Sequence, residues 1–154
     1  MKRQLWVLAL IAATAGCGGG PDGGKAKRPL VGVSVLTETH DFYKELEAGM
    51  RDEAKTRGLD LVITSCEMDP AKQASQIEDF VAQRVSALLV TPCDSATIGA
   101  NLAGPEQAGI PVFTVDIAAH SGKVVSHVAT DNVQGGRLAA QALARYTGGE
   151  RGRS

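Results

Sequence analysis

Three phenylalanines, two tyrosines and one tryptophan are all the aromatic residues in this 154-residue chain. Such scarcity, with abundant glycine and alanine, suits an α/β fold better than a β-sandwich. The formal net charge is −1, so neither nucleic acid nor an acidic surface is indicated as a partner. No HExxH or paired-cysteine spacing offers a metal site, and none of the serines sits in a GxSxG elbow. The first strand-like run is followed by "TETHDFY", not by GxGxxG or GxxxxGK[ST], so a dinucleotide or phosphate-loop enzyme lacks its main feature. Neither an enzyme nor a cofactor is expected.

What is present begins with an export pattern. Lys2 and Arg3 precede "LWVLALIAATAG", an apolar run too short to span a membrane comfortably, which ends in small residues before Cys17. Residues 1–16 read as a signal peptide, with Cys17 as a lipidated first residue, although Thr14 stands where such sites usually carry Leu. The alternative is an ordinary signal peptide with a chance cysteine. Residues 17–28, rich in glycine, read as a flexible tether. The expected location is therefore the periplasm or cell envelope, with the lipid as the only membrane attachment.

Export permits disulfides. Cys66 and Cys93, however, follow strands that would not be neighbours in the sheet. Two strand spacings amount to about 9.6 Å, which is beyond the usual reach of a bridge. No disulfide is expected between them.

From Leu30 the chain alternates regularly. "LVGVSVL" is a continuous apolar run, typical of a strand covered on both faces. "DFYKELEAGMRDEAKTRG" follows, with Phe42, Leu46, Met50 and Ala54 at helical spacing and Gly58 as a C-cap. "LDLVITS" is a second strand. A second helix follows, with Asp69 as N-cap, Pro70 at its first position, and Ala74, Ile77, Phe80 and Val81 as its apolar face. "SALLVTP" is a third strand, and Pro105 should bend or break the helical segment that follows it. "IPVFTVD" and "VVSHVATD" are the last two strands. A helix from Asn132 turns Leu138, Ala142 and Leu143 inward. The pattern predicts a parallel, doubly wound α/β sheet in one domain.

In such a sheet, ligands meet the carboxyl ends of the strands. Asp116 ends the fourth strand there, and Phe42 and Tyr43 open the first helix. With the flavodoxin-like strand order 2-1-3-4-5 the two loops would meet above the sheet. A carboxylate beside aromatic side chains suits a polyol, which presents hydroxyls around an apolar C–H face. Phe42 is as readily read as core, and Tyr43, one helical step away, is expected to be more exposed. Asp116 has a plain alternative as a loop cap. His40, Asp41 and Asp116 can also be drawn as a metal or acid/base cluster, and His127 reads as a core or edge histidine.

The runs "VGVSV....DFYKELEAGMRDEA", "GLDLVITSCEMDPAKQASQIEDFVAQRVSALLVTPCDS", "AGIPVFTVD" and "VVSHVATDNVQGGRLAAQAL" together resemble the periplasmic substrate-binding proteins of sugar ABC transporters, ribose-binding type. The resemblance covers roughly Pro29 to Gly149. It implies two lobes joined by a hinge and closing on a monosaccharide or similar polyol, which is presented to a permease of the inner membrane. His40, Phe42, Tyr43 and Asp116 match the family's sugar contacts, with His40 replacing an Asn and the two aromatics stacking on the sugar. Ile117 replaces an Arg that grips ribose, so ribose itself is disfavoured. Residues 29–131 correspond to the first lobe and 132–154 to the start of the second, with Asp131 and Asn132 near the hinge. Asp131 reads as a helix cap rather than a ligand contact.

Members of the family run about twice this length, so the sequence reads as a partial chain, of the kind a frameshift would leave. The helix 132–146 would then expose its apolar face or use it in a homodimer. Two other readings share the architecture. One is a sensory binding protein that works with a receptor. The other is a regulator's effector lobe, against which the signal-like start and the lack of a helix-turn-helix argue.

Overall fold

The structure, a computed structural model, describes residues 27–147. The expected signal segment, Cys17 and most of the tether lie outside the described residues. Five parallel strands form one sheet: β1 (Leu30–Val35), β2 (Asp60–Ser65), β3 (Ala87–Val90), β4 (Val112–Val115) and β5 (Ser126–Val128). Their order is β2-β1-β3-β4-β5, the flavodoxin-like order expected. The helices are α1 (Asp41–Arg57), α2 (Pro70–Ala82), α3 (Ile98–Asn101), α4 (Ala103–Gln107) and α5 (Asn132–Tyr146).

The order decides where the helices lie. The chain moves one way from β1 to β2, then doubles back past β1 to reach β3. Right-handed crossovers therefore place α1 on one face and α2 to α4 on the other. The core divides accordingly. Val33, Val35 and Tyr43 pack with Leu46, Met50 and Ile63 on the α1 face. Ile77, Phe80, Leu88, Val90, Ile98, Leu102 and Val112 fill the opposite face. Gly32 marks the closest approach on that side, where an added Cβ would stand 2.7 Å from the Phe80 ring.

The helix ends follow local chemistry. Asp69 caps α2 by accepting from the N–H groups of Ala71 and Lys72, with Pro70 at the first helical position. Gly58 ends α1 in the left-handed region at φ 68°. The segment before β4 is broken, as Pro105 requires, but the break falls at Leu102, between α3 and α4. The proline ring conflicts with the carbonyl four residues earlier, so the interruption precedes it.

Beneath the strand ends lies a buried polar network that the sequence pattern does not announce. Gln73 is fully buried on α2, on the same face as Ile77 and Phe80. Its amide donates to Ser34 Oγ (3.0 Å) and to the Thr91 carbonyl (2.9 Å), and its Oε1 accepts from the Cys93 N–H (2.8 Å). Gln76, one turn on, accepts from Ser34 Oγ and donates to the Ser65 carbonyl. Two glutamines thus tie together the ends of β1, β2 and β3. Such groups are held in place because losing a buried partner costs about 1–3 kcal/mol.

Two expectations are corrected here. Leu138, Ala142 and Leu143 do not turn inward, because no residue of α5 is buried. Cys66 and Cys93 are bonded to each other, with their Cα atoms 7.0 Å apart. The strand-spacing estimate fails because both cysteines lie beyond their strands, where the chains draw in over the end of β1. There Cys66 donates its N–H to the Val35 carbonyl, and Gln73 holds the N–H of Cys93.

The cysteines are 27 positions apart in sequence, so the bridge should stabilise the domain by roughly 3–4 kcal/mol through chain entropy. Replacing both by serine should lower the thermal midpoint of the oxidised protein by roughly 10–20 °C, while adding reductant to the variant should have no further effect. An unchanged midpoint in the variant would show that the bridge does not form in solution.

Candidate functional site

The carboxyl ends of β1, β2 and β4 open into a concavity of about 450 Å³, lined by Leu36, Thr37, Thr39, His40, Phe42, Tyr43, Met68 and Asp116. That volume is in the range of small-molecule sites. All four sequence-assigned contacts, His40, Phe42, Tyr43 and Asp116, lie on this one surface.

Tyr43 and Asp116 set its geometry. The Tyr43 hydroxyl donates to Asp116 Oδ2 at 2.7 Å across 73 residues of sequence. Tyr43 is only 6% exposed, against the expectation of an exposed ring, and Phe42 is 42% exposed. The reason is positional. The first turn of α1 overhangs the end of the sheet, so Phe42, first on the apolar stripe, has no strand beneath it. Tyr43 lies one step further round and reaches Val33 and Val35. The two rings meet edge to face, with centroids 5.1 Å apart. The exposed Phe42 ring therefore stands on a buried support.

Asp116 ends β4 in the left-handed region at φ 65°, which aspartate tolerates better than most residues. Its N–H donates to the Val128 carbonyl, which fixes it against β5. Among the described residues, its second oxygen, Oδ1, has no hydrogen-bond partner, so one acceptor remains available. The Tyr43 hydroxyl is held well above the ordinary tyrosine range. Burial is the main cause, followed by the hydrogen bond to Asp116 and the charge of that carboxylate.

His40 is the N-cap of α1, and its Nδ1 accepts from the Phe42 N–H at 3.2 Å. A ring nitrogen that accepts carries no proton, so in the neutral ring the proton sits on Nε2, as a donor at the rim. His40, Asp41 and Asp116 do not form a metal cluster. Among the described residues, no group of three His, Cys, Asp or Glu side chains could hold a metal ion. His127 lies on edge strand β5 with Nδ1 3.0 Å from Thr114 Oγ1, away from the concavity. Asp131 caps α5 by accepting from the Gln134 N–H, as expected of it.

The rim contains a clamp that pattern reading misses. Glu67 accepts from Thr37 Oγ1, from the Glu38 N–H and from Ser65 Oγ, joining the loop after β2 to the loop after β1. These hydrogen bonds, that of Ser65 foremost, hold its carboxyl below the usual carboxylate range. A lone Glu in "SCEMD" carries no local signal of such a role, since two of its three partners, Thr37 and Glu38, are about thirty positions away.

The chain matches the family described as the periplasmic binding protein domain over residues 31–153. It belongs to the periplasmic binding protein family. It is 40% identical over 125 residues to a ribose import binding protein of Bacillus subtilis (strain 168), covering 81% of this chain and 41% of that protein. A solved periplasmic ribose ABC transporter protein of Conexibacter woesei superposes with a TM-score of 0.71 at 30% identity, over 80% of this chain and 42% of that one. A Caulobacter myo-inositol binding protein, solved with myo-inositol, gives a TM-score of 0.69 at 26% identity over 84% and 43%. This chain thus spans about two-fifths of the length of the relatives it matches. These relatives are binding proteins rather than enzymes, and membership of a periplasmic family implies export.

The Tyr43–Asp116 pair predicts a particular alkaline behaviour. The folded Tyr43 pKa lies above the unfolded value, so its contribution is complete below about pH 10 and is lost as pH rises further. In a Tyr146→Phe background, tyrosinate absorbance should appear only above the ordinary tyrosine range and together with unfolding. Replacing Tyr43 by Phe should flatten the fall in stability above about pH 10. A Tyr43 that ionises near pH 10 in the folded protein would rule out the buried bond.

Proposed function

We propose that this chain forms one wall of the sugar- or polyol-binding cleft of an ABC importer's solute-binding protein. The observation that carries the reading is the Tyr43–Asp116 hydrogen bond, which holds an acceptor-bearing carboxylate on the same concavity as the exposed ring of Phe42. A sugar ring resting on Phe42 would turn its hydroxyls toward Asp116 Oδ1 and His40 Nε2–H. Its C–H face would be desolvated against the aromatic ring. Tyr43 supports this arrangement from beneath rather than stacking on the ligand. Ile117 offers no donors beside Asp116, so the ligand is a pentose other than ribose, a hexose or a cyclitol.

The wider assignment rests on the same membership. Cys17 would anchor the mature protein to a membrane by lipid. Residues 29–131 would form the first lobe, and Asp131 and Asn132 would start the passage into a second. The exposed Val133, Leu138, Leu143 and Tyr146 of α5 form a surface that a second lobe, or a second copy of the chain, would cover. The closed complex would deliver its sugar to an inner-membrane permease or, in a sensing system, to a receptor.

Ligand-observed saturation-transfer NMR against pentoses, hexoses and myo-inositol tests the site. At least one of these should bind. Phe42→Ala should weaken that ligand about tenfold through lost stacking. Asp116→Asn should weaken it by a similar factor, about tenfold, through the lost charge on the acceptor. A ligand that binds equally well to both variants would place the sugar elsewhere.

A further inference from the structure

The loop after β2 is a tight turn in which the Asp69 N–H donates to the Cys66 carbonyl at 3.0 Å. Its two central residues, Glu67 and Met68, both have positive φ, 51° and 61°. Turns of this kind favour Asn, Asp or Gly at their centres, because other side chains crowd the backbone there. Glu67 offsets its strain through the three hydrogen bonds of its clamp. Met68 has no such return from the protein. It belongs to neither core cluster, and 66% of it is exposed.

Its placement is nonetheless tightly set. The Met68 N–H donates to the Leu36 carbonyl at 3.1 Å, and Cys66, two residues earlier, is bonded to Cys93. Met68 lines the same concavity as Phe42, His40 and Asp116. An unbranched, polarisable thioether on a pinned turn makes an apolar contact that can adapt its shape to what it meets.

We propose that Met68 is a ligand-contacting residue that selects for a carbon-rich edge of the sugar. The thioether faces a deoxy, methyl or bare C–H position and disfavours a hydroxyl there, because such a hydroxyl would lose water without gaining a partner. This deepens the sugar-site reading above and rests on it. The chemical class it picks out is a deoxy or otherwise partly apolar monosaccharide, rather than one with hydroxyls on every edge.

The test uses pairs that differ by one hydroxyl: L-fucose with L-galactose, L-rhamnose with L-mannose, and 2-deoxy-D-ribose with D-ribose. Affinities are compared for the 154-residue chain and for Met68→Asn and Asp116→Asn. Asparagine tolerates positive φ, so Met68→Asn should fold at least as stably as the parent. In at least one pair the parent should prefer the deoxy member by about fivefold, and Met68→Asn should bring that ratio to about one. Asp116→Asn should weaken both members without changing the ratio. If Asp116→Asn weakens binding while Met68→Asn leaves every ratio unchanged, Met68 is not a contact and the site reading stands. If no sugar binds the parent, or Asp116→Asn binds as the parent does, the site reading fails and the Met68 assignment falls with it.

Discussion

The candidate site depends on one hydrogen bond, from the Tyr43 hydroxyl to Asp116 Oδ2. It can form only because β1 and β4 are parallel and flank β3, which brings the loops after both strands to the same end of the sheet. Burial of the Tyr43 ring against Val33 and Val35 fixes the donor. A left-handed backbone turn braced on β5 fixes the acceptor. With both partners held by the core, Asp116 would offer its second oxygen to a ligand at little further entropic cost. Phe42 gains a support in the same step.

Strain gathers around the same concavity. Of the four non-glycine residues with positive φ among the described residues, Glu67, Met68 and Asp116 border the concavity or its clamp, and Arg84 lies elsewhere. Such conformations cost about 1–3 kcal/mol each and persist where the surroundings over-determine them. Here the surroundings are the Glu67 hydrogen bonds, the glutamine network beneath the strand ends and the Cys66–Cys93 bridge. Together they make the upper end of the sheet a rigid rim, while α5 stands apart with no buried residue.

The order and type of the elements are legible in the sequence because they follow from local patterning. Apolar runs such as "LVGVSV" make strands covered on both faces, and caps such as Asp69–Pro70 and Gly58 delimit helices. Alternation and crossover rules give a parallel sheet but not its strand order; with the order 2-1-3-4-5, the loops after β1 and β4 bring His40, Phe42, Tyr43 and Asp116 together. What is not legible is whatever depends on the ends of elements. The four-residue spacing of α1 marks Phe42 as core, but its first turn overhangs the sheet, so Tyr43 is buried instead. Strand spacing separates Cys66 from Cys93, but both lie past the strands, where the chains converge. Gln73 looks like a solvent residue until its position on the Ile77–Phe80 face shows it turned beneath the strand ends.

The most direct test of the central claim is a residue-by-residue map of amide shifts as the chain is titrated with sugars. A sugar bound on this wall should move the signals of residues 37–43, Met68 and Asp116, and leave those around Ile110, Lys123 and Val125 at the opposite end of β4 unmoved. Shifts confined to that far end, or none for any sugar, would contradict the assignment of the concavity as a sugar site.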